Sequence, residues 1–145
     1  MSIDTDFNET LNPTASQQPT PGQQRILVIE DNADMREFLQ RILKRRGYGY
    51  LGAVDGAEGM ALALAERPDL ILMDLALPVL DGYEATRLLK ANPEFAATPI
   101  VAVTAHARVV DQERAIESGC DACISKPYSI RQLFELIEQF LPPAV

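Results

Sequence analysis

The stretch DLILMDLALPVLDG, residues 69–82, carries the clearest structural signal in this chain. Its first six residues form an aliphatic run that ends in Asp74, which is typical of a β-strand buried on both faces. The segment PVLDG that follows favours a turn, and Asp81 is suited to cap a helix that continues to about Asn92. The stretch therefore predicts a buried strand, a short loop and a helix, in that order.

The same alternation of strand and helix continues in both directions from this stretch. Further strands are predicted at RILVIE (25–30), YLGAV (50–54), PIVAVT (99–104) and ACIS (122–125), and each is followed by a helical pattern. Short crossover connections require parallel strands with helices on both faces of the sheet. The sequence thus predicts a doubly wound α/β domain with five parallel strands and five helices. Its ligand site is expected beyond the carboxyl ends of the strands.

Composition limits both the size of the protein and its partners. The 145 residues suffice for one compact domain, and 47% of them are hydrophobic, enough for a substantial core. We assign the domain to residues 25–141, between an N-terminal tail (1–24) predicted to be disordered and a short C-terminal tail (142–145). The net charge of -8 argues against nucleic acid or an anionic membrane as a partner. With no membrane span, no secretory signal and only two cysteines, we expect a cytoplasmic protein.

Charged and hydroxyl side chains are concentrated where the predicted strands end. Glu30 and Asp31 follow the first strand, Asp74 and Thr104 end the third and fourth, and Lys126 follows the fifth. Carboxylates brought together in this way repel one another, and a hard divalent cation such as Mg²⁺ relieves that repulsion. The cation and Lys126 would attract an anionic phosphoryl donor, and Asp74 as nucleophile would form an acyl phosphate. Thr104 and Lys126 would then bind the phosphoryl oxygens.

Each of these residues also has an ordinary structural interpretation. Taken singly, Glu30 or Asp31 would most simply cap the N-terminus of a helix, and Thr104 could do the same for the helix after the fourth strand. Lys126 alone could be a solvated surface charge. The presence of all the other motifs in one chain favours the functional interpretation.

Four segments of the chain follow a known pattern: ILVIEDN, LILMDLALPVLDGYEATRLLK, PIVAVTA and GCDACISKPY. In order and spacing they resemble the motifs of the response-regulator receiver family, over about residues 25–141. The resemblance implies a flavodoxin-like strand order, 2-1-3-4-5, with Asp74 as the phosphoacceptor, Thr104 as the switch hydroxyl and Lys126 as the phosphate-binding lysine. It also implies a Mg²⁺ site with Asp31, Asp74 and the backbone carbonyl of Ala76 as ligands, and with Glu30 acting through metal-bound water.

The resemblance also implies the partners. The phosphoryl donor would be a histidine kinase or a histidine phosphotransfer protein. Phosphorylation would change the affinity for a downstream protein partner through the face built by the fourth and fifth helices and the fifth strand. Such a protein assists its own phosphorylation and dephosphorylation and is a signalling receiver, not an enzyme. The family often has a cis peptide bond before the proline, here Lys126–Pro127.

Three side chains near the predicted site need separate mention. Cys123 lies three residues before Lys126, where most of the family carries Tyr or Phe, and a cysteine has no ring to move when Thr104 is drawn to the phosphate. With Cys120 it forms a C-x-x-C motif, but at a turn leading into a strand, which favours two ordinary reduced cysteines. His106, the only histidine, is either a surface or capping residue or a residue that tunes the phosphorylation site.

Other classes of protein share parts of this pattern. A flavin-binding electron carrier has the same topology, but it needs a Ser/Thr/Gly-rich phosphate loop where this chain has Glu30-Asp31-Asn32. A haloacid-dehalogenase-like phosphatase needs a second acid two residues after its aspartate, where this chain has Ala76. The main alternative is a binding module on a receiver scaffold that works without phosphorylation. Such modules usually lose the acidic pair, the aspartate or the lysine, all of which are retained here.

Overall fold

A single parallel sheet organises the molecule. The computed structural model describes residues 22–77, 81–105 and 108–141. All neighbouring strands pair in parallel, in the order β2-β1-β3-β4-β5. The predicted doubly wound sheet and its strand order are therefore confirmed. The strands are β1 (Arg25–Ile29), β2 (Gly49–Ala53), β3 (Leu70–Asp74), β4 (Ile100–Thr104) and β5 (Ala122–Ser125).

Helices connect successive strands, and one of them begins at Asp81, the cap that the sequence predicts. Asn32, Asp81 and Ser129 each accept a hydrogen bond from the backbone N–H three residues further on, which satisfies one of the N–H groups left over at a helix start. In the described residues the α-helices are α1 (Ala33–Arg45), α2 (Gly56–Glu66), α3 (Gly82–Ala91), α4 (Val109–Glu117) and α5 (Ile130–Phe140).

A short 3-10 helix, Pro93–Phe95, follows α3 and was not predicted. The side chain of Asn92 accepts a hydrogen bond from the Glu94 N–H, and the ring of Phe95 is buried in the core. Asn92 and Pro93, the first residue of the turn, are local signals for it, whereas the burial of Phe95 is a tertiary feature that local sequence does not reveal.

The core lies on both faces of the sheet, because the central strands β3 and β4 are buried along their whole length. On one face, Ile26 and Val28 pack with α1 and α5. On the other, Leu27 and Ile29 pack with α2, α3 and α4. Each fully buried aliphatic side chain contributes about 1.5–3 kcal/mol relative to exposure. Fully buried large side chains include Ile26, Leu27, Ile29, Leu43, Leu70, Ile71, Met73, Leu89, Phe95, Ile100, Leu133 and Ile137.

The first described residues are already tied to the domain. The carbonyl of Gln24 accepts a hydrogen bond of 2.8 Å from Gly49 N–H, and Gln23 Nε2 donates to the Gly47 carbonyl at 3.0 Å. The Gln24 bond continues the pairing of β1 with β2 and explains why β2 begins at Gly49, one residue earlier than predicted. Residues 1–21 of the predicted N-terminal tail (1–24) and the whole predicted C-terminal tail (142–145) lie outside the described residues.

Candidate functional site

Three carboxylates meet at the carboxyl end of the sheet. Glu30 follows β1 directly and Asp74 is the last residue of β3, and these two strands are neighbours in the sheet. Oxygen atoms of Glu30, Asp31 and Asp74 all lie within 4.8 Å of one another. Glu30 and Asp74 are only 4% and 6% exposed, whereas Asp31 is exposed to solvent. The structure thus brings the predicted acidic cluster together and leaves it open on the side of Asp31.

Lys126 joins this cluster from the edge strand. Its Nζ lies 3.5 Å from Glu30 Oε1 and 3.8 Å from Asp74 Oδ2, so it is not a solvated surface charge. Its backbone N–H donates to the Thr104 carbonyl at 2.7 Å, which fixes the end of β5 against the end of β4. The peptide bond between Lys126 and Pro127 is cis, as the resemblance to the receiver family implied.

Glu30 is the most perturbed carboxyl group of the site. Burial raises its pKa from 4.5 to about 7, and the nearby charge of Asp74 acts in the same direction. A hydrogen bond of 3.1 Å from the Asn32 N–H and the charge of Lys126 lower the pKa but do not cancel the rise. When all three carboxylates are ionised, the cluster carries more negative charge than Lys126 alone compensates.

Thr104 and Ala76 complete the set of predicted residues. Thr104 ends β4 and is buried at 4% exposure. It does not cap a helix, because α4 begins only at Val109, after Arg108. Ala76 is exposed, and its N–H donates to Asp74 Oδ1 at 3.0 Å, which orients the carboxylate of Asp74. His106, the other candidate near Thr104, lies outside the described residues.

Two contacts of the site were missed in the sequence. Gly82 opens α3 so close to the strand that a Cβ would overlap the carbonyl oxygen of Asp74. Arg36 Nη1 donates to the backbone carbonyl of Glu30 at 2.7 Å. Gly82 could have been recognised from the sequence, because it is the glycine of the PVLDG segment, but we interpreted that segment only as a turn. Arg36 gives no signal of its own, because an arginine on a helix is usually a solvated charge.

The donor set fits a hard divalent cation. Among residues 22–77, 81–105 and 108–141 it consists of carboxylate oxygens, and Mg²⁺ prefers oxygen ligands while retaining several waters. The excess negative charge of the cluster and the exposure of Asp31 favour such a cation and give it access. Asp74, with one oxygen held by the Ala76 N–H and Lys126 near the other, is placed to act as a nucleophile toward an anionic group.

The two cysteines lie apart from this chemistry. Cys120 precedes β5 and is buried, and burial raises its pKa from 9.0 to about 11. Cys123 lies within β5, and burial also raises its pKa. Both thiols are free, and neither is at a helix N-terminus, the position that would lower a thiol pKa.

Comparison with known proteins identifies the class to which this fold and site belong. The family model of the response regulator receiver domain matches residues 26–138. The chain therefore belongs to the response regulator receiver domain family. It is 39% identical over 119 residues to the polar-differentiation response regulator DivK of Brucella anthropi, covering 82% of this chain and 97% of that protein.

Solved structures agree with this assignment. The receiver domain of the sensor histidine kinase PA1611 from Pseudomonas aeruginosa is 34% identical and superposes with a TM-score of 0.76, covering 82% of this chain and 98% of that one. That structure has a magnesium ion coordinated in its active-site cleft. The chemotaxis protein CheY4 of Vibrio cholerae, at 24% identity and a TM-score of 0.78, covers 81% and 98% and shows the same fold. No helix within residues 22–77, 81–105 and 108–141 could cross a membrane.

Proposed function

We propose that this protein is the phosphoacceptor of a two-component or phosphorelay pathway, in which Asp74 takes a phosphoryl group from a phosphohistidine donor. The observation that carries the proposal is the position of Lys126 Nζ, 3.5 Å from Glu30 and 3.8 Å from Asp74. A lysine held between two buried carboxylates at the open end of a sheet is suited to bind an oxyanion beside a nucleophile.

The transfer can be written on the residues of the site. An oxygen of the Asp74 carboxylate attacks phosphorus, the P–N bond of the donor breaks, and the imidazole leaves with the electron pair and is protonated by solvent. Lys126 and the hydroxyl of Thr104 receive the phosphoryl oxygens. Asp31, Asp74 and the carbonyl of Ala76 would hold Mg²⁺, with Glu30 acting through water. When bound, the cation neutralises charge on the transferring group.

Two surfaces support the choice of protein partners. A groove of about 430 Å³ is lined by Met35 and Phe38 of α1 and by Lys126, Pro127 and Tyr128, and we assign the phosphoryl donor to it because it borders Lys126. On the other face of the sheet from α1, Val109 and Val110 of α4 are 67% and 62% exposed. Apolar side chains exposed in this way are typical of a partner-binding surface, and we assign the downstream partner to it.

In this role the protein is a switch in the cytoplasm and not an enzyme, because it accepts one phosphoryl group on its own side chain. The main alternative, a binding module that works without phosphorylation, is favoured by one observation. Cys123 occupies the position of the family's moving ring. A partner-binding measurement distinguishes the two functions. A module that works without phosphorylation would bind its partner equally well as wild type and as Asp74→Asn.

Phosphorylation by acetyl phosphate in the presence of Mg²⁺ tests the proposal through two variants. We expect Asp31→Asn to lose most of the Mg²⁺-dependent reaction, because an exposed ligand of the cation is removed. We expect Lys126→Ala to remain folded but to be phosphorylated poorly, because Lys126 contributes charge and no core packing. Undiminished Mg²⁺-dependent phosphorylation in both variants would refute the roles assigned to these residues.

A further inference from the structure

The end of β1 carries an unusual hydrogen bond. Glu30 N–H donates to the Ala53 carbonyl at 3.0 Å and so continues the parallel pairing of β1 with β2. The next donor in such a ladder would be the N–H of Asp55, but β2 ends at Ala53 and Asp55 caps α2. The carbonyl of Glu30 accepts instead from Arg36 Nη1, at 2.7 Å.

Arg36 differs from the other basic residues of its helix. Arg41 is exposed and pairs with Glu37 at 2.7 Å, whereas Arg36 is half-buried and takes part in no ion pair among the described residues. It also lies near Tyr50, whose pKa is raised by burial while the charge of Arg36 opposes that rise. The half-buried guanidinium of Arg36 donates to a backbone carbonyl and so links α1 to the end of β1.

We propose that Arg36 is a positioning residue for the acidic pair and so sets the affinity of the site for Mg²⁺. Glu30 is held at both ends: its carbonyl by Arg36, and its carboxylate by the Asn32 N–H at 3.1 Å and by Lys126. Asp31 follows Glu30 directly and its side chain is exposed. The position of its carboxylate is therefore set by the backbone of Glu30 and not by packing. Groups that orient metal ligands commonly change metal affinity when removed. This inference rests on the proposed function, since the cation site belongs to it.

Charge and hydrogen bonding predict opposite results for the loss of Arg36. If only its positive charge mattered, Arg36→Met would tighten Mg²⁺ binding, because a repelling cation would be gone. If the hydrogen bond positions the pair, Arg36→Met weakens binding. Arg36→Lys keeps a donor on a long side chain and serves as the conservative rescue. Arg41→Met removes an exposed charge from the same helix without touching Glu30 and serves as the control.

Titration with Mg²⁺, followed by the NMR amide signals of Asn32 and Ala76, measures the affinity directly, because these amides donate to Glu30 and Asp74. We expect Arg36→Met to bind about three- to tenfold more weakly than wild type, and Arg36→Lys and Arg41→Met to bind much as wild type does. Equal or tighter binding by Arg36→Met, or equal weakening in Arg41→Met, would overturn the proposal.

Two further measurements on the wild type distinguish a wrong cation site from a wrong role for Arg36. If the wild type shows no saturable binding, the cation site of the proposed function is wrong and this inference falls with it. If Arg36→Met does not fold, the wild type alone decides. Its Arg36 guanidinium protons should exchange with water more slowly when Mg²⁺ is bound, because the coupling between two such sites is reciprocal. Exchange unchanged by Mg²⁺ would then overturn the proposal.

Discussion

The ammonium group of Lys126 lies 3.5 Å from the carboxylate of Glu30, although 96 positions separate the two residues in the chain. The contact crosses the sheet from its edge, since β5 is separated from β1 by β4 and β3. It compensates part of the negative charge that Glu30, Asp31 and Asp74 concentrate at one point. Burial, together with the nearby charge of Asp74, nevertheless raises the pKa of Glu30 to about 7, so ionising Glu30 in the folded protein costs free energy.

Glu30→Gln should stabilise the protein at pH 8 in the presence of EDTA. Because the pKa of Glu30 rises from 4.5 to about 7 on folding, its contribution to stability is full below the ordinary value and is lost as pH rises through 7. Glutamine avoids that loss, so we expect a gain of about 1–3 kcal/mol at pH 8 and little difference at pH 4.5. Urea unfolding at the two pH values measures both numbers.

The exposed Glu37 of α1 provides the control for this prediction. Glu37→Gln should leave the dependence of stability on pH close to that of the wild type, because its side chain is 70% exposed. A gain by Glu30→Gln of the same size at both pH values would show that the charge of Glu30 is not its cause.

Gly82→Ala should destabilise the domain by about 2 kcal/mol or more, because the added Cβ would overlap the backbone carbonyl of Asp74, which cannot move aside as a flexible side chain can. Gly49→Ala is the matched control. There the nearest atom, at 3.0 Å, belongs to the side chain of Arg25. Urea unfolding compares the two variants, and equal losses of stability would mean that the contact between α3 and Asp74 is not tight.

Most of the fold could be predicted because its signals are local. The cap residues Asn32, Asp81 and Ser129 and the aliphatic runs before Asp74 and Thr104 mark element boundaries within a few residues of one another. The doubly wound architecture then follows from short crossovers. The convergence of Glu30, Asp74 and Lys126 could be predicted for the same reason, since parallel strands bring their carboxyl ends to one edge.

The contacts that were missed depend on the tertiary structure. The ring of Phe95 is buried in the core, and Arg36 binds the Glu30 carbonyl because β2 ends early. Asn92 and Pro93 were a local signal for the 3-10 turn, but the groups that Phe95 and Arg36 meet are not encoded within a few residues of either side chain. The sequence predicted that Lys126 and Glu30 lie at one edge of the sheet, but the extent to which burial raises the pKa of Glu30 could be known only from the packing.

Both cysteines should react slowly with iodoacetamide at pH 8. Burial raises the pKa of Cys120 to about 11, so only about 0.1% of Cys120 would be thiolate at pH 8. Burial also raises the pKa of Cys123. Peptide mapping by mass spectrometry distinguishes the two, and we expect Cys120 to react more slowly than Cys123. The protein unfolded in urea is the control and should react faster at both positions. Rapid alkylation of folded Cys120 would contradict its burial.

Self-dephosphorylation should be slow in the wild type and faster in Ala76→Asn. Hydrolysis needs a water in line with the breaking P–O bond, and the methyl group of Ala76 cannot orient one, whereas an amide can. Ala76 is exposed, so an asparagine side chain has room there. We expect an acceleration of about tenfold in the release of phosphate. If His106 contacts the site, the rate will also change with pH near about 6.5.

Ala97→Asn is the control for this change, because Ala97 is exposed in the loop that precedes β4, at the other end of the strand from Thr104. It should leave the rate unaltered. Rapid hydrolysis in the wild type that Ala76→Asn does not increase would show that other groups determine the lifetime of the phosphorylated state.

The central claim is that Asp74 accepts a phosphoryl group with the help of a divalent cation. Intact mass spectrometry after incubation with acetyl phosphate tests it most directly, with Mg²⁺ or EDTA and with wild type or Asp74→Asn. We predict that the wild type with Mg²⁺ gains the mass of one phosphoryl group, and that neither the EDTA sample nor Asp74→Asn does. An unmodified wild type, or an Asp74→Asn variant that gains the same mass, would contradict the assignment of Asp74 as the phosphoacceptor.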